Sequence, residues 1–258
     1  MRFECIGSSS AGNAYWIELD RSSERPVRLL MEAGISRREI MTHLLTRCSQ
    51  RISLSSVDAC IVTHGHKDHS LAAAELARSG VRVYGNRYVC SSNDTLCEEG
   101  KVKVVAPDTF VLPFAVEHDA PDSFGYFVRT DVESFVFVND CKYWRADLSS
   151  LRPNYVFIEA NYDGETVHFA LEEARENGDA NMVSHYERIL HSHMSIKNAI
   201  EALKKMDLSE CRSVFLMHLS DKNSRQLDFK YRAGDALSKV RNGGPIPVYV
   251  CRKNGGII

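Results

Sequence analysis

An α/β fold with two sheets stacked as a sandwich and helices outside is what this sequence predicts. Three observations lead there. Strand-like apolar runs crowd the first half, helical patterns alternate with strands afterwards, and polar residues of metal-ligand type recur where apolar runs end. At 258 residues, with 44% hydrophobic and 26% charged residues, the chain has the make-up of one globular domain with a sizeable core.

Taken in order, runs rich in β-branched and aromatic residues predict strands over Asn13–Leu19, Val27–Met31, Val57–Val62, Val81–Tyr84, Val102–Val105 and Phe110–Val116. The same signal predicts strands over Phe124–Val128, Ser134–Val138, Tyr155–Glu159, Ser213–Met217 and Pro247–Cys251. Gly7–Asn13 is read as a tight turn between the first two strands. Helical periodicity is expected over Arg37–Arg47, Leu71–Ser79, Val167–Glu176, Ser195–Met206 and Ser224–Val240, with Ser195 as an N-cap.

Composition narrows the classes of function. No apolar run reaches the ~18–20 residues that span a bilayer, and no signal-type segment opens the chain, so a cytoplasmic protein without a membrane partner is expected. The eight cysteines form neither C-x-x-C pairs nor a dense framework, which fits buried free thiols in a reducing compartment. Residues 180–258 carry 13 Lys and Arg against 7 Asp and Glu. That bias suits a phosphate-bearing substrate, and it suits solvated helix faces equally well. Oligomeric state is not legible, and a homodimer is compatible with the chain.

The densest chemistry lies in Thr63-His64-Gly65-His66-Lys67-Asp68-His69, between the apolar run ending at Val62 and the helical pattern from Leu71. His64 and His66, two apart on an extended segment, can point the same way toward one cation. Asp68 and His69 follow where the chain turns, in reach of a second. Imidazole and carboxylate together suit zinc, manganese or iron. Two ions need more ligands, and His118, Asp140 and His218 each stand just after a predicted strand. Asp140 is the natural shared carboxylate between two dications. Asp119 competes with His118, and Asp122 or Asp131 competes with Asp140.

With these residues in view, the chain resembles the metallo-β-lactamase superfamily, whose H-x-H-x-D-H motif stands here as His64–His69. More narrowly it resembles the YycJ/WalJ-like branch, a relative of the tRNase Z group. The segments that carry the likeness are Gly7-Ser8-Ser9-Ser10-Ala11-Gly12-Asn13, Met31-Glu32-Ala33-Gly34, Glu117-His118-Asp119-Ala120, Glu159-Ala160-Asn161-Tyr162-Asp163 and His218-Leu219-Ser220-Asp221. The resemblance implies a four-layer αββα sandwich with a dinuclear site at one edge. It assigns one metal, zinc or manganese, to His64, His66 and His118. It assigns the other to Asp68, His69 and His218, with Asp140 bridging, and it gives Glu159 and His193 a part in proton transfer. Departures from the family pattern are Asn139-Asp140-Cys141-Lys142 for Thr-Asp-Thr-Gly, Ser192-His193-Met194-Ser195-Ile196 for Gly-His-Leu/Val-Ser-Asn, and Glu32-Ala33-Gly34 for Asp-Ala-Gly.

The expected activity is that of a dinuclear metal-dependent phosphodiesterase, a nuclease using a metal-bridged hydroxide, with Asp68 orienting the nucleophile. A nucleic acid or nucleotide is then the substrate, and Ser8, Ser195 and Asn161 are the expected contacts to it. A cyclic-nucleotide phosphodiesterase and a thioesterase or lactamase type of hydrolase are the alternatives, with a non-catalytic metal-fold sensor as a third. Tyr143, Trp144 and Tyr162 could stack on bases, although core or rim packing is the commoner use. His185 and His191 are expected to be structural or exposed, and His43 and His168 incidental.

Overall fold

Side-chain alternation along the central strands decides how the layers stack. The computed structural model describes residues 1–22, 25–46, 52–90, 92–238, 240 and 244–258. The first sheet is ordered β1 (Arg2–Gly7), β2 (Ala14–Leu19), β3 (Val27–Met31), β4 (Ala59–Ile61), β5 (Val83–Tyr84). The second contains β6 (Lys103–Ala106), β7 (Thr109–Glu117), β8 (Phe124–Arg129), β9 (Ser134–Val138), β10 (Tyr143–Trp144), β11 (Tyr155–Glu159), β12 (Ser213–Met217) and β13 (Val248–Val250). Its order is β10-β7-β8-β9-β11-β12-β13, with β6 paired to β7. Helices α1 (Arg37–Thr46), α2 (Lys67–Ser70), α3 (Ala73–Arg78), α4 (Gly164–Glu176), α5 (Ala180–Ser192), α6 (Ile196–Lys204) and α7 (Gln226–Leu237) complete the element list.

Phe135, Phe137 and Phe157 face Tyr15, Ile17, Leu29 and Ile61 across the gap between the sheets. Their neighbours Val136, Val138, Val156 and Ile158 point the other way, onto Ile196, Leu203, Phe229 and Leu237 of α6 and α7. On the far side, Trp16, Leu30 and Cys60 pack on Ile40 and Leu44 of α1 and Leu76 of α3. Three cores thus separate four layers, αββα, as expected. Truncating a fully buried ring such as Phe157 to Ala removes about 3–5 kcal/mol. That reserve keeps the strand ends stiff.

Strands β3 and β4 run parallel, as do β9, β11 and β12. Two antiparallel pairings, β7 with β8 and β8 with β9, turn β7 into the same direction as β9. The C-terminal ends of β7, β9, β11 and β12 therefore emerge on one edge. Among the described residues, no helix is long and apolar enough to cross a membrane.

Several element boundaries differ from the sequence expectation. The helix expected over Leu71–Ser79 starts earlier and breaks in two, because Lys67–Ser70 of the His motif already makes a helical turn. Strand β1 is the strand implied ahead of the Gly7–Asn13 turn, whereas the short edge strand β10 carries too little apolar pattern to be seen. Helix α5 was read as a His-rich stretch, yet Gly178 (φ +68°) ends α4 and Asp179 caps α5 by accepting from the Met182 N–H. The C-terminal residue of the expected first helix, Arg47, lies outside the described residues, as do Cys48 and Lys239 of the expected last helix.

Asp163 joins α4 to α7. Its side chain caps α4 by accepting from the Thr166 N–H (3.1 Å), and Arg232 donates to its second oxygen at 2.6 Å. Burial alone raises the Asp163 pKa, but the Arg232 and Thr166 hydrogen bonds outweigh it and hold the carboxyl below its usual value of 3.8. A depressed carboxyl stabilises the fold above that value and loses its contribution as the pH falls through the folded-state pKa. Asp163→Ala is expected to cost about 1–2 kcal/mol in urea unfolding at neutral pH. The gap between variant and parent should close once the pH drops below 3.8.

Candidate metal centre

Backbone hydrogen bonds from two loops clamp the H-x-H-x-D-H segment. Asn13 donates its N–H to the Asp68 carbonyl and Ala33 donates to the His69 carbonyl, both at 2.8 Å. Gly34 passes so close that a Cβ there would lie 1.6 Å from the Asp68 carbonyl oxygen, so only glycine fits this crossing. The Gly-Ser-Ser-Ser turn and the Glu32-Ala33-Gly34 corner thereby fix where Asp68 and His69 point.

His64, His66 and His118 form one group of donor atoms, all within 4.8 Å of one another. Hydrogen bonds on the far sides of two rings decide the tautomers. The single Thr63 hydroxyl proton goes to Glu32 Oε1 at 2.6 Å, so Thr63 Oγ1 accepts from His64 Nδ1 at 3.0 Å. His64 Nε2 is left with a lone pair, buried and without a hydrogen-bond partner. A carbonyl can only accept, so His118 Nδ1 donates to the Ser192 oxygen at 2.9 Å. The His118 Nε2 lone pair then faces His66 Nδ1 at 3.3 Å. Burial, joined by neighbouring His69, holds His64 well below the usual imidazole pKa, and burial lowers His118 against the pull of Asp140. Neutral imidazoles with fixed, inward lone pairs are what a metal ligand requires.

Asp68, His69, Asp140 and His218 form a second group on the same distance criterion. His69 Nδ1 lies 3.1 Å from Glu32 Oε1, and its Nε2 faces Asp140 Oδ2 at 3.2 Å and Asp68 Oδ2 at 3.4 Å. His218 Nδ1 sits 2.8 Å from Asp140 Oδ1, and its Nε2 is buried without a partner. Burial pulls both histidines down, but the carboxylates pull harder. Asp140 and Glu32 hold His69 well above its usual pKa, and Asp140 raises His218 to about 10. The cluster of buried carboxylates therefore demands positive charge at this spot. A divalent cation held by imidazole and carboxylate donors would supply it, and the buried, partnerless Nε2 atoms of His64 and His218 fit that role.

Asp140, Glu159, His193 and His218 make a third, overlapping group. Glu159 is wholly buried and accepts from the Cys141 N–H (2.7 Å), the Met194 N–H (3.2 Å) and His193 Nδ1 (2.6 Å). Burial lowers the His193 pKa, yet Glu159 more than reverses it and holds the ring above its usual value.

Left-handed backbone marks the same corners. Glu32 (φ 64°), Asp140 (φ 47°) and His218 (φ 53°) all follow strands and all carry a side chain into the site. Such geometry costs a non-glycine residue of order 1 kcal/mol, and it clusters where side chains must be aimed.

The structure brings together His64, His66, Asp68, His69, His118, Asp140, Glu159, His193 and His218. Of the rivals, Asp119 also reaches the rim, with Oδ1 3.0 Å from His118 Nε2, and Arg188 holds its other oxygen. Asp122 pairs instead with Arg87, and Asp131 with the Ser22 N–H. Each of the three expected substrate contacts has a side-chain polar group engaged within the protein, and Asn161 also lines the cavity above the donor groups. Ser8 is buried, accepts from the His218 N–H (2.9 Å) and bonds Tyr15. Ser195 caps α6 through the Asn198 N–H, and the Asn161 amide donates to the His218 carbonyl at 2.8 Å. Ser8 and Asn161 thus hold His218 in place. Sequence reasoning places Glu32, Thr63 and Asn13 within motifs but gives none of them a role in the site. Glu32 carried a readable signal, an acid at a strand exit like Asp140.

A cleft of about 420 Å³ opens over the two groups, lined among others by Ser9, Ser10, His185, Arg188 and Lys222. Residues 27–219 match the family model described as the beta-lactamase superfamily domain. The exodeoxyribonuclease WalJ of Streptococcus pneumoniae is 29% identical over 241 residues, covering 86% of this chain and 83% of that protein. Among solved structures, the metallo-beta-lactamase fold protein YhfI of Bacillus subtilis aligns with a TM-score of 0.67 at 13% identity, covering 99% of this chain and 98% of that one. Zn(2+)-bound PqqB of Methylobacterium extorquens aligns at 0.62 and 13% identity, covering 100% and 99%.

Removing the Glu32 charge tests how far the ring orientations matter. Glu32→Gln is expected to weaken zinc affinity about 10–100-fold in competition with a chromophoric chelator, with an unchanged far-UV spectrum. Parent-like affinity would contradict the role assigned to Glu32.

Proposed function

The chain belongs to the beta-lactamase superfamily, and on that premise we propose that it is a metal-dependent phosphodiesterase, a nuclease acting on DNA. The fold family binds divalent metal. In this reading His64, His66 and His118 hold one zinc or manganese ion, Asp68, His69 and His218 hold the other, and Asp140 is shared. The observation that carries the proposal is the His193–Glu159 hydrogen bond of 2.6 Å beside both donor groups. It joins an acid–base pair to the metal ligands in a single cleft. The exodeoxyribonuclease activity in the name of the pneumococcal relative supports DNA as the substrate.

When bound, divalent cations lower the pKa of water and offset charge on phosphoryl oxygens. The protein's own groups supply the rest. Burial raises the Asp68 pKa, but hydrogen bonding and charge from His69 more than reverse it, so Asp68 stays a carboxylate that can orient the attacking water by accepting its hydrogen bond. His193, with Nδ1 donating to Glu159, has its Nε2 proton available for the leaving oxygen. Glu159 fixes that ring and stabilises its charge. Arg188 lines the cleft with its guanidinium anchored on Asp119, where a phosphate oxygen can pair with it. The seven described cysteines are free thiols, in keeping with the cytoplasmic setting proposed here.

Treatment with a chelator, and separately His66→Ala, should abolish hydrolysis of DNA while the protein stays folded by circular dichroism. His193→Ala is expected to lower kcat about 10²–10⁴-fold with metal content retained. Full turnover after either intervention at the metal ligands would sink the proposal.

A further inference from the structure

A second cavity, of about 390 Å³, lies beside the cleft and plays no part in the chemistry derived above. One wall is β10 with the residues around it, and the other is α6. Its backbone is the backbone of the metal centre. Lys142 stands two residues after Asp140, and its N–H donates to the Glu117 carbonyl (2.8 Å), one residue before His118. Met194 follows His193 and donates its N–H to Glu159. The groove therefore begins where the donor groups end.

Its chemistry is basic and aromatic. Tyr143 is 38% exposed, and the Arg145 guanidinium lies 6.0 Å from its ring centroid while donating to its hydroxyl. Trp144 backs the wall against Phe114, with ring centroids 6.2 Å apart. Lys142 and Lys205 add two further cations. Asp147 and Glu201 also line the groove, but Asp147 accepts from the Ser149 N–H and Glu201 pairs with Lys204 at 2.9 Å. Lys142 Nζ lies 3.4 Å from His191 Nδ1, and among the described residues Lys142, Arg145 and Lys205 form no ion pair with a carboxylate. An aromatic face beside such cations is the pattern that receives a base and its flanking phosphates.

We propose that this groove holds unpaired nucleotides of the DNA strand that leads into the metal centre. Tyr143 stacks on a base, and Lys142, Arg145 and Lys205 pair with successive phosphates. The inference rests on the nuclease reading given above and adds the path by which the strand arrives. A site of this kind makes longer single strands better substrates than short ones.

The test compares a single-stranded oligothymidylate of about ten nucleotides with the dinucleotide, using the metal-loaded full chain. In Tyr143→Ala the KM for the longer strand should rise about tenfold and most of the preference for length should vanish. Tyr143→Phe, which keeps the ring, should retain that preference. Replacing Arg145 and Lys205 by Ala should flatten the dependence of log(kcat/KM) on log[salt] by roughly 0.7 per cation removed. A Tyr143→Ala enzyme with the parent's length preference overturns the proposal. If the parent hydrolyses bis(p-nitrophenyl) phosphate but leaves both oligonucleotides intact, the nuclease reading itself has failed and the groove assignment falls with it.

Discussion

Buried negative charge at one edge of the sandwich is the constraint on which the rest of the structure depends. Glu32, Asp140 and Glu159 are nearly inaccessible, and each ends a strand or follows one. Carboxylates in such a place cost several kcal/mol unless cations and donors surround them. The fold answers with imidazoles: His69 between Glu32 and Asp140, His218 between Asp140 and Glu159, His193 on the outer side of Glu159. Protons on these rings meet the demand in part. Divalent cations would meet it while also using the lone pairs of His64 and His118, which protons on His69 and His218 leave untouched.

Architecture and chemistry are linked through stiffness. Parallel strands packed on both faces put their C-terminal ends on one edge, and the aromatic core between the sheets prevents those ends from splaying. Three corners then adopt left-handed backbone to turn Glu32, Asp140 and His218 inward. The loops contribute by hydrogen bonding to the backbone of the ligand segments. Ser8 binds the His218 N–H, and Asn13 and Ala33 bind the carbonyls of Asp68 and His69. Changes in these loops are thus expected to move the ligands without touching them.

How much of this was legible in the sequence follows from the range of each interaction. The strands of the sandwich announced themselves through β-branched and aromatic runs, and ligand-type residues at their exits pointed to His118, Asp140 and His218. Helix α5 escaped because its buried side is narrow: Ile189 is buried and Tyr186 and Leu190 are partly so. Its histidines were more conspicuous than its periodicity. The tautomer-setting contacts were beyond reach, since Thr63 meets Glu32 across 31 residues and His118 meets the Ser192 carbonyl across 74. Ser8 sits in a glycine-serine turn that invites a substrate contact, and its hydroxyl bonds Tyr15 and the N–H of His218, which is far from it in sequence order.

Anomalous diffraction from crystals loaded with zinc or manganese tests the central claim most directly. Two peaks are predicted, one among His64, His66 and His118 and one among Asp68, His69 and His218, with Asp140 between them. A single peak elsewhere on the surface, with the Asp140 cluster free of metal at full occupancy of that other position, would contradict the account.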